Sequence, residues 1–251
     1  VVACGINIEN MDSPVINNII QAHPWFSYIL TVFWIVGITN AINLIDGLDG
    51  LSSGITLISC ISLMIVFTIN ESPLLSIILI TALAGAISGF LPYNFNPAKT
   101  FIGDVGSNFL GFSLAVISIL GVAKTYTAIV IVAPIIVLGL PIFDTLFAIV
   151  RRIYQRKSLK GVFMPDKGHL HHRLMARGYT QKEAVFILYG FSAILGVFAI
   201  VLLESGVWKA VSFAMVVSAI IAVGYKDITR KADLNKAKMK RMEERNKKDS
   251  N

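Results

Sequence analysis

Charged residues are scarce in this sequence. Asp, Glu, Lys and Arg make up 15% of its 251 residues, 55% are hydrophobic, and the mean hydropathy is +0.71. A soluble domain of this length needs far more polar surface, so lipid is expected to be the solvent for most of the chain. Cysteine is also nearly absent. Cys4 and Cys60 lie far apart and match no ligand spacing, which excludes a disulfide framework and a cysteine-ligated zinc site. No ten-residue alternation of apolar and polar positions recurs, so helices rather than a barrel must satisfy the backbone in lipid. No Met precedes Val1, and no basic stretch leads into a short apolar core, so no cleavable signal is read here.

What the sequence does have is long apolar runs. A helix that crosses a bilayer needs about 20 mostly apolar residues. Seven stretches qualify: 26–45, 51–70, 74–93, 105–123, 127–149, 183–203 and 207–225. The expected fold class is therefore all-α, a polytopic transmembrane helix bundle. The expected organisation is an extracytoplasmic segment 1–25, a membrane domain 26–225 and a basic tail 226–251. Gly85 and Gly89, spaced G-x-x-x-G, are either a place of close helix approach or ordinary small residues of a bundle. Basic residues set the orientation. With the first span starting outside, the connections near 46–50, 94–104 and 150–182 and the tail hold 20 of the 22 Lys and Arg, leaving Lys124 and Lys209 towards the other side. The positive-inside rule then makes the former side cytoplasmic and gathers nearly every polar motif there. The tail reads as a solvated or fraying helix, with membrane lipid as its sharper partner. Nucleic acid is not expected, because topology already explains the basic excess.

Three blocks at cytoplasmic ends carry chemistry. In the first, Asn40, Asn43, Asp46 and Asp49 follow at three-residue intervals to a helix C-terminus, with Gly47 and Gly50 among them. Carboxylates at the negative end of a helix dipole are unfavourable unless a cation compensates; the alternative is a tight turn whose acids face water. In the second, Asn96 to Ser107, Asp104 opens the next span as an N-cap, a metal ligand or both, while Gly103 and Gly106 allow backbone to approach phosphate. The third runs from Arg151, Arg152, Arg156, Lys157 and Lys160 to His169, His171, His172 and Arg173. It suits phosphate and sugar oxygens better than zinc, a solvated basic loop being the alternative. Asp144 lies inside an apolar run near Pro134 and Gly139, and is either a functional acid or an anchor for that basic loop.

The blocks NAINLIDGLDGL, AKTFIGDVGSNFLGF and PIFDTLFAIVRR followed by GHLHHRL resemble the polyprenyl-phosphate N-acetylhexosamine-1-phosphate transferase family over essentially residues 26–225. His169-Leu170-His171-His172-Arg173 is similar to the branch that transfers N-acetylglucosamine-1-phosphate from UDP-N-acetylglucosamine to undecaprenyl phosphate. That step releases UMP and begins teichoic acid or surface polysaccharide synthesis. The resemblance implies Asn43 and Asp104 as ligands of Mg²⁺ (Mn²⁺ is an alternative ion). It implies Asp46 and Asp49 as catalytic acids. Asn40, Phe101, His169, His171, His172 and Arg173 would bind substrate, Phe101 by stacking on uracil. A homodimer is a further expected partner.

One departure stands out. The family carries ten or eleven spans and an earlier pair of adjacent aspartates, whereas this sequence has no Asp-Asp dipeptide. The chain is therefore expected to be the C-terminal part of such an enzyme, without part of its metal and lipid-phosphate site. Two other readings stay open: the branch that handles a muramoyl-pentapeptide precursor, and a membrane transporter, which also uses intramembrane acids and glycine breaks.

Overall fold

The computed structural model describes residues 23–122, 128–156 and 168–249. Residues 1–22 of the expected segment 1–25, Lys124, and the loop cations Lys157 and Lys160 lie outside these residues; 24 and 25 already belong to the first helix. Every element among the described residues is a helix. α1 (Pro24–Ile45) opens on Pro24, whose fixed φ and missing N–H suit a first helical position. α2 (Leu51–Ile69) begins after Gly50, which takes the left-handed conformation at φ 77°. α3 (Leu74–Asn94) and α4 (Gly103–Val122) follow, then α5 (Ala128–Val137), α6 (Gly139–Arg156), the short α7 (Leu170–Ala176) and α8 (Gln181–Asp249).

Five helices among the described residues are long and apolar enough to cross a membrane: α1, α2, α3, α4 and α8 over Gln181–Ser218. The chain is a multi-pass membrane protein. The expected single span 127–149 is instead two helices, α5 and α6, that part at Leu138. Pro141 explains the break, since it has no N–H for the Val137 carbonyl and its ring crowds that carbonyl. α8 contains a second break, at Gly206 with φ 78° and ψ 175°. Phe198 and Phe213 stack across it with ring centroids 6.5 Å apart. Fifteen positions of straight helix would separate them by about 22 Å, so the chain doubles back at Gly206. The two expected spans 183–203 and 207–225 are the arms of this hairpin, and the helix continues through the basic tail to Asp249.

α2 is the central helix, packed against α3, α4 and α8, while α1 lies along α4. The main core joins Ile42, Leu63, Val66, Phe67, Ile80 and Leu114. Glycines allow the close approaches, and of the two readings of Gly85 and Gly89 the structure favours ordinary small residues. A Cβ on Gly111 of α4 would lie 2.7 Å from the Thr39 Cα of α1, and one on Gly121 would strike the Phe67 ring. Around Gly85 and Gly89 nothing lies within 4 Å, so the G-x-x-x-G pair joins no helices among the described residues.

Candidate active site

The apolar run of α1 ends where Asp46 caps its last turn, its N–H donating to the Asn43 carbonyl. Asp46 Oδ1 accepts from Ser52 Oγ at 2.6 Å, which ties the cap to the first turn of α2. Burial pushes the Asp46 carboxyl above its ordinary value; the Ser52 hydrogen bond pulls it down, and the charge of Asp104 raises it again. Asp104 reaches Asp46 from another block. It lies in the first turn of α4, one residue inside the helix, rather than at the cap position expected for it. Its carboxylate is exposed and receives no hydrogen bond from the described residues. Gly103, which starts α4 at φ 62°, has open space around it, as a backbone that admits a ligand requires.

Asp49 is held differently. Its Oδ2 accepts from Asn96 Nδ2 at 2.9 Å and from the Ala98 N–H at 3.1 Å. Asn96 Nδ2 also donates to Gln181 Oε1 at 2.9 Å. One hydrogen-bonded chain thus joins the α1–α2 turn, the α3–α4 turn and the start of α8. Behind it, Ser53 Oγ donates to the buried Asn94 Oδ1 at 2.6 Å, and Asn94 Nδ2 to the Thr100 carbonyl at 3.0 Å. Asp46, Asp49, Asn94, Phe101, Asp104 and Gln181 line one cavity of about 440 Å³. Phe101 is 74% exposed at this cavity, with its ring open to a flat ligand.

The other expected site residues fall around the cavity rather than on it. Asn43 Nδ2 donates to Ser107 Oγ at 2.9 Å, tying α1 to α4 and leaving the Asn43 side-chain carbonyl as an acceptor. Asn40 donates to the Val36 carbonyl at 2.7 Å and lies in a separate, mostly apolar groove of about 410 Å³ between α1 and α6. Thr145 and Arg152 are the other polar members of this groove.

The histidine block reaches the cavity edge through one residue. His171 is 2% exposed, neither ring nitrogen has a hydrogen-bond partner among the described residues, and its Nε2 fills the place where a Cβ on Gly47 would go. Burial pushes the His171 imidazole down to about 4; His172 and His169 act in the same direction, and Asp144 opposes them. His172 and Arg173 are exposed. The Arg173 guanidinium sits 5.3 Å from the Phe147 ring centroid of α6, and that of Arg151 lies 5.7 Å from the same ring. Arg151 also donates to the Gly168 carbonyl at 2.6 Å. His169 is buried against Asp144, and Asp144 is the anchor of the segment it had been expected either to serve or to hold.

Among the described residues no three His, Cys, Asp or Glu side chains group as a metal site. A divalent cation would find two carboxylates, Asp46 and Asp104, and the Asn43 carbonyl. These are hard oxygen donors of the kind Mg²⁺ takes alongside substrate phosphates. The upward push of Asp104 on the Asp46 carboxyl marks a place where positive charge is wanted. Sequence reasoning missed Ser52, Ser107 and Gln181. The two serines sit within or next to the motif blocks, whereas nothing in the sequence signals Gln181, 85 positions from its partner Asn96.

Comparison with known proteins gives the same direction. The family model described as glycosyl transferase family 4 matches residues 1–122. The chain is 44% identical over 208 residues to a Bacillus subtilis protein named "Probable undecaprenyl-phosphate N-acetylglucosaminyl 1-phosphate transferase", covering 83% of this chain and 57% of that one. It is 37% identical over 182 residues to a decaprenyl-phosphate N-acetylglucosaminephosphotransferase of Mycobacterium leprae, covering 65% of this chain and 45% of that one. With a phospho-N-acetylmuramoyl-pentapeptide-transferase of Chlamydia muridarum it shares 32% identity over 208 residues, covering 79% and 59%. The chain spans about half the length of the curated relatives it matches. With its motif blocks assembled at one end of a helix bundle, the chain belongs to glycosyl transferase family 4.

Proposed function

We propose that the protein transfers N-acetylglucosamine-1-phosphate from UDP-N-acetylglucosamine to undecaprenyl phosphate and releases UMP. The observation that carries this reading is the meeting of Asp46 and Asp49 with Asp104 and Phe101 around one cavity. A phosphate oxygen of the lipid bonds to the sugar-linked phosphorus, the bridging bond to UMP breaks, and UMP leaves with the electron pair. Mg²⁺, held by Asp104, Asp46 and Asn43, would neutralise charge on the diphosphate. Phe101 offers its exposed ring to uracil. Asp49 keeps the α3–α4 turn in place through Asn96 and Ala98, so positioning rather than proton transfer is its first contribution. The apolar groove between α1 and α6 suits a prenyl chain, with Asn40 and Arg152 as its polar members for the lipid phosphate.

The placement of these groups with the basic connections supports a cytoplasmic site, in line with a nucleotide-sugar donor. Teichoic acid or surface polysaccharide synthesis is the proposed destination of the product. A protein of the relatives' full length, carrying the aspartate pair expected of the family, would have the complete site. The test uses that protein in detergent. UMP release should require both Mg²⁺ and undecaprenyl phosphate, and a UDP-muramoyl-pentapeptide donor should not replace UDP-N-acetylglucosamine. Asp104→Asn should abolish release at unchanged expression. Normal turnover in that variant refutes the metal assignment, and solute transport in vesicles without UMP release favours a transporter.

A further inference from the structure

Asp144 is a buried acid with no place in the reaction above. Its carboxylate is 3% exposed and takes two hydrogen bonds, Oδ1 from the Leu170 N–H and Oδ2 from His169 Nδ1, both at 2.9 Å. His169 is 5% exposed. The pairing dictates where the ring proton sits. A carboxylate offers only lone pairs, so Nδ1 must carry the hydrogen and, in a ring with one proton, Nε2 is left as an acceptor. The same carboxylate binds the first N–H of α7. That short helix carries His171 to Gly47 at the cavity edge, stacked parallel to His169 at 6.0 Å, and presents His172 and Arg173 outward.

We infer that Asp144 is a positioning residue of the transferase site, which sets the tautomer of His169 and fixes the start of α7 with one carboxylate. The inference rests on the functional reading above and adds to it a residue that touches neither substrate nor metal. Its distinguishing consequence appears in Asp144→Asn. The Leu170 N–H requires an oxygen opposite it, which forbids the amide from flipping. The new NH₂ must then face His169, Nδ1 must turn acceptor, and the ring proton must move to Nε2. Shape is conserved while the hydrogen-bond character of the far nitrogen is reversed.

The test is nitrogen NMR of ¹⁵N-histidine-labelled full-length protein in detergent, the His169 signals being identified by their loss in His169→Gln. The wild type should show the Nδ1–H form and Asp144→Asn the Nε2–H form. In parallel, kcat of the Asn variant should fall at least about 100-fold, with KM for the nucleotide sugar changed less than about threefold, as when a buried acid that orients a histidine is neutralised. A mere structural defect would lower stability without moving the proton. An Nε2–H form in the wild type overturns the inference without recourse to any variant. So does an Nδ1–H form retained in Asp144→Asn, or a moved proton with wild-type turnover. Failure of the functional reading shows differently, as a wild type that releases no UMP while both spectra are as expected; the pairing of Asp144 with His169 then stands.

Discussion

Gly47 is the point where two distant motif blocks touch, and the contact can be tested by adding one methyl group. A Cβ at Gly47 would lie 2.2 Å from Nε2 and 2.6 Å from Cε1 of His171, far inside van der Waals contact. The ring has little freedom to yield. It is 2% exposed and lies parallel to His169, which Asp144 holds. Gly47→Ala must therefore push the 46–50 turn and α7 apart by about 1 Å, and overpacking of this kind costs about 1–3 kcal/mol. His171→Ala removes the obstacle. It also removes two buried nitrogens that have no partner among the described residues, so its own cost should be smaller than loss of a packed ring suggests. The expected outcome is strong coupling: Gly47→Ala lowers the thermal unfolding midpoint in detergent, and the same change made in His171→Ala lowers it hardly at all. The double-mutant cycle should return a coupling of about 1–3 kcal/mol. Strict additivity, or a Gly47→Ala protein that melts with the wild type, would refute the contact and with it the docking of α7 on the acidic turn.

Two further perturbations follow from the same geometry. The imidazole of His171 is depressed from 6.5 to about 4, so its neutral form is favoured by folding. The stability it contributes is complete above pH 6.5 and is lost as pH falls through the window from 6.5 to about 4, by about 3 kcal/mol in all. Melting curves across that range should flatten in His171→Asn; an unchanged slope would show that another group governs it. Gly111→Ala should destabilise the bundle, because its Cβ meets the Thr39 backbone at 2.7 Å, which cannot swing away. Gly85→Ala meets open space and should match or slightly exceed wild-type stability in the same melting assay, helped by helix propensity. Equal losses in the two variants would contradict the packing described for α4.

The sequence made the helices legible because lipid demands uninterrupted apolar runs, and α1 to α4 begin and end within a few residues of those runs. The break at Leu138 was not legible in the same way. Pro134, Gly139 and Pro141 all lie nearby, and only the backbone shows which carbonyl loses its donor. Spacing alone also could not rank the glycines. Gly85 and Gly89 have the interval for close packing, but Gly111 and Gly121 face a neighbour. In the site, Asp46, Asp49, Phe101 and Asp104 could be named from two blocks and do share a cavity. The role of Asp144 could only be narrowed to two choices, since its partner lies 25 positions away. Asp49 read as an acid like Asp46, yet it is committed to Asn96 and Ala98, bonds that no local pattern encodes.

The reversal at Gly206 settles a matter of parity. A chain that enters and leaves a bilayer an even number of times in one segment returns to the side it came from. Because the arms of α8 fold against each other, as the Phe198–Phe213 stack records, the segment beyond Gln181 adds two crossings and leaves the bookkeeping of sides unchanged. The last residues of α8 therefore emerge on the face that holds Asp49, Asn96 and Gln181. Were Gly206 forced into helical φ and ψ, the arms would straighten into one rod, the count would become odd, and the end of α8 would lie across the membrane from Gln181.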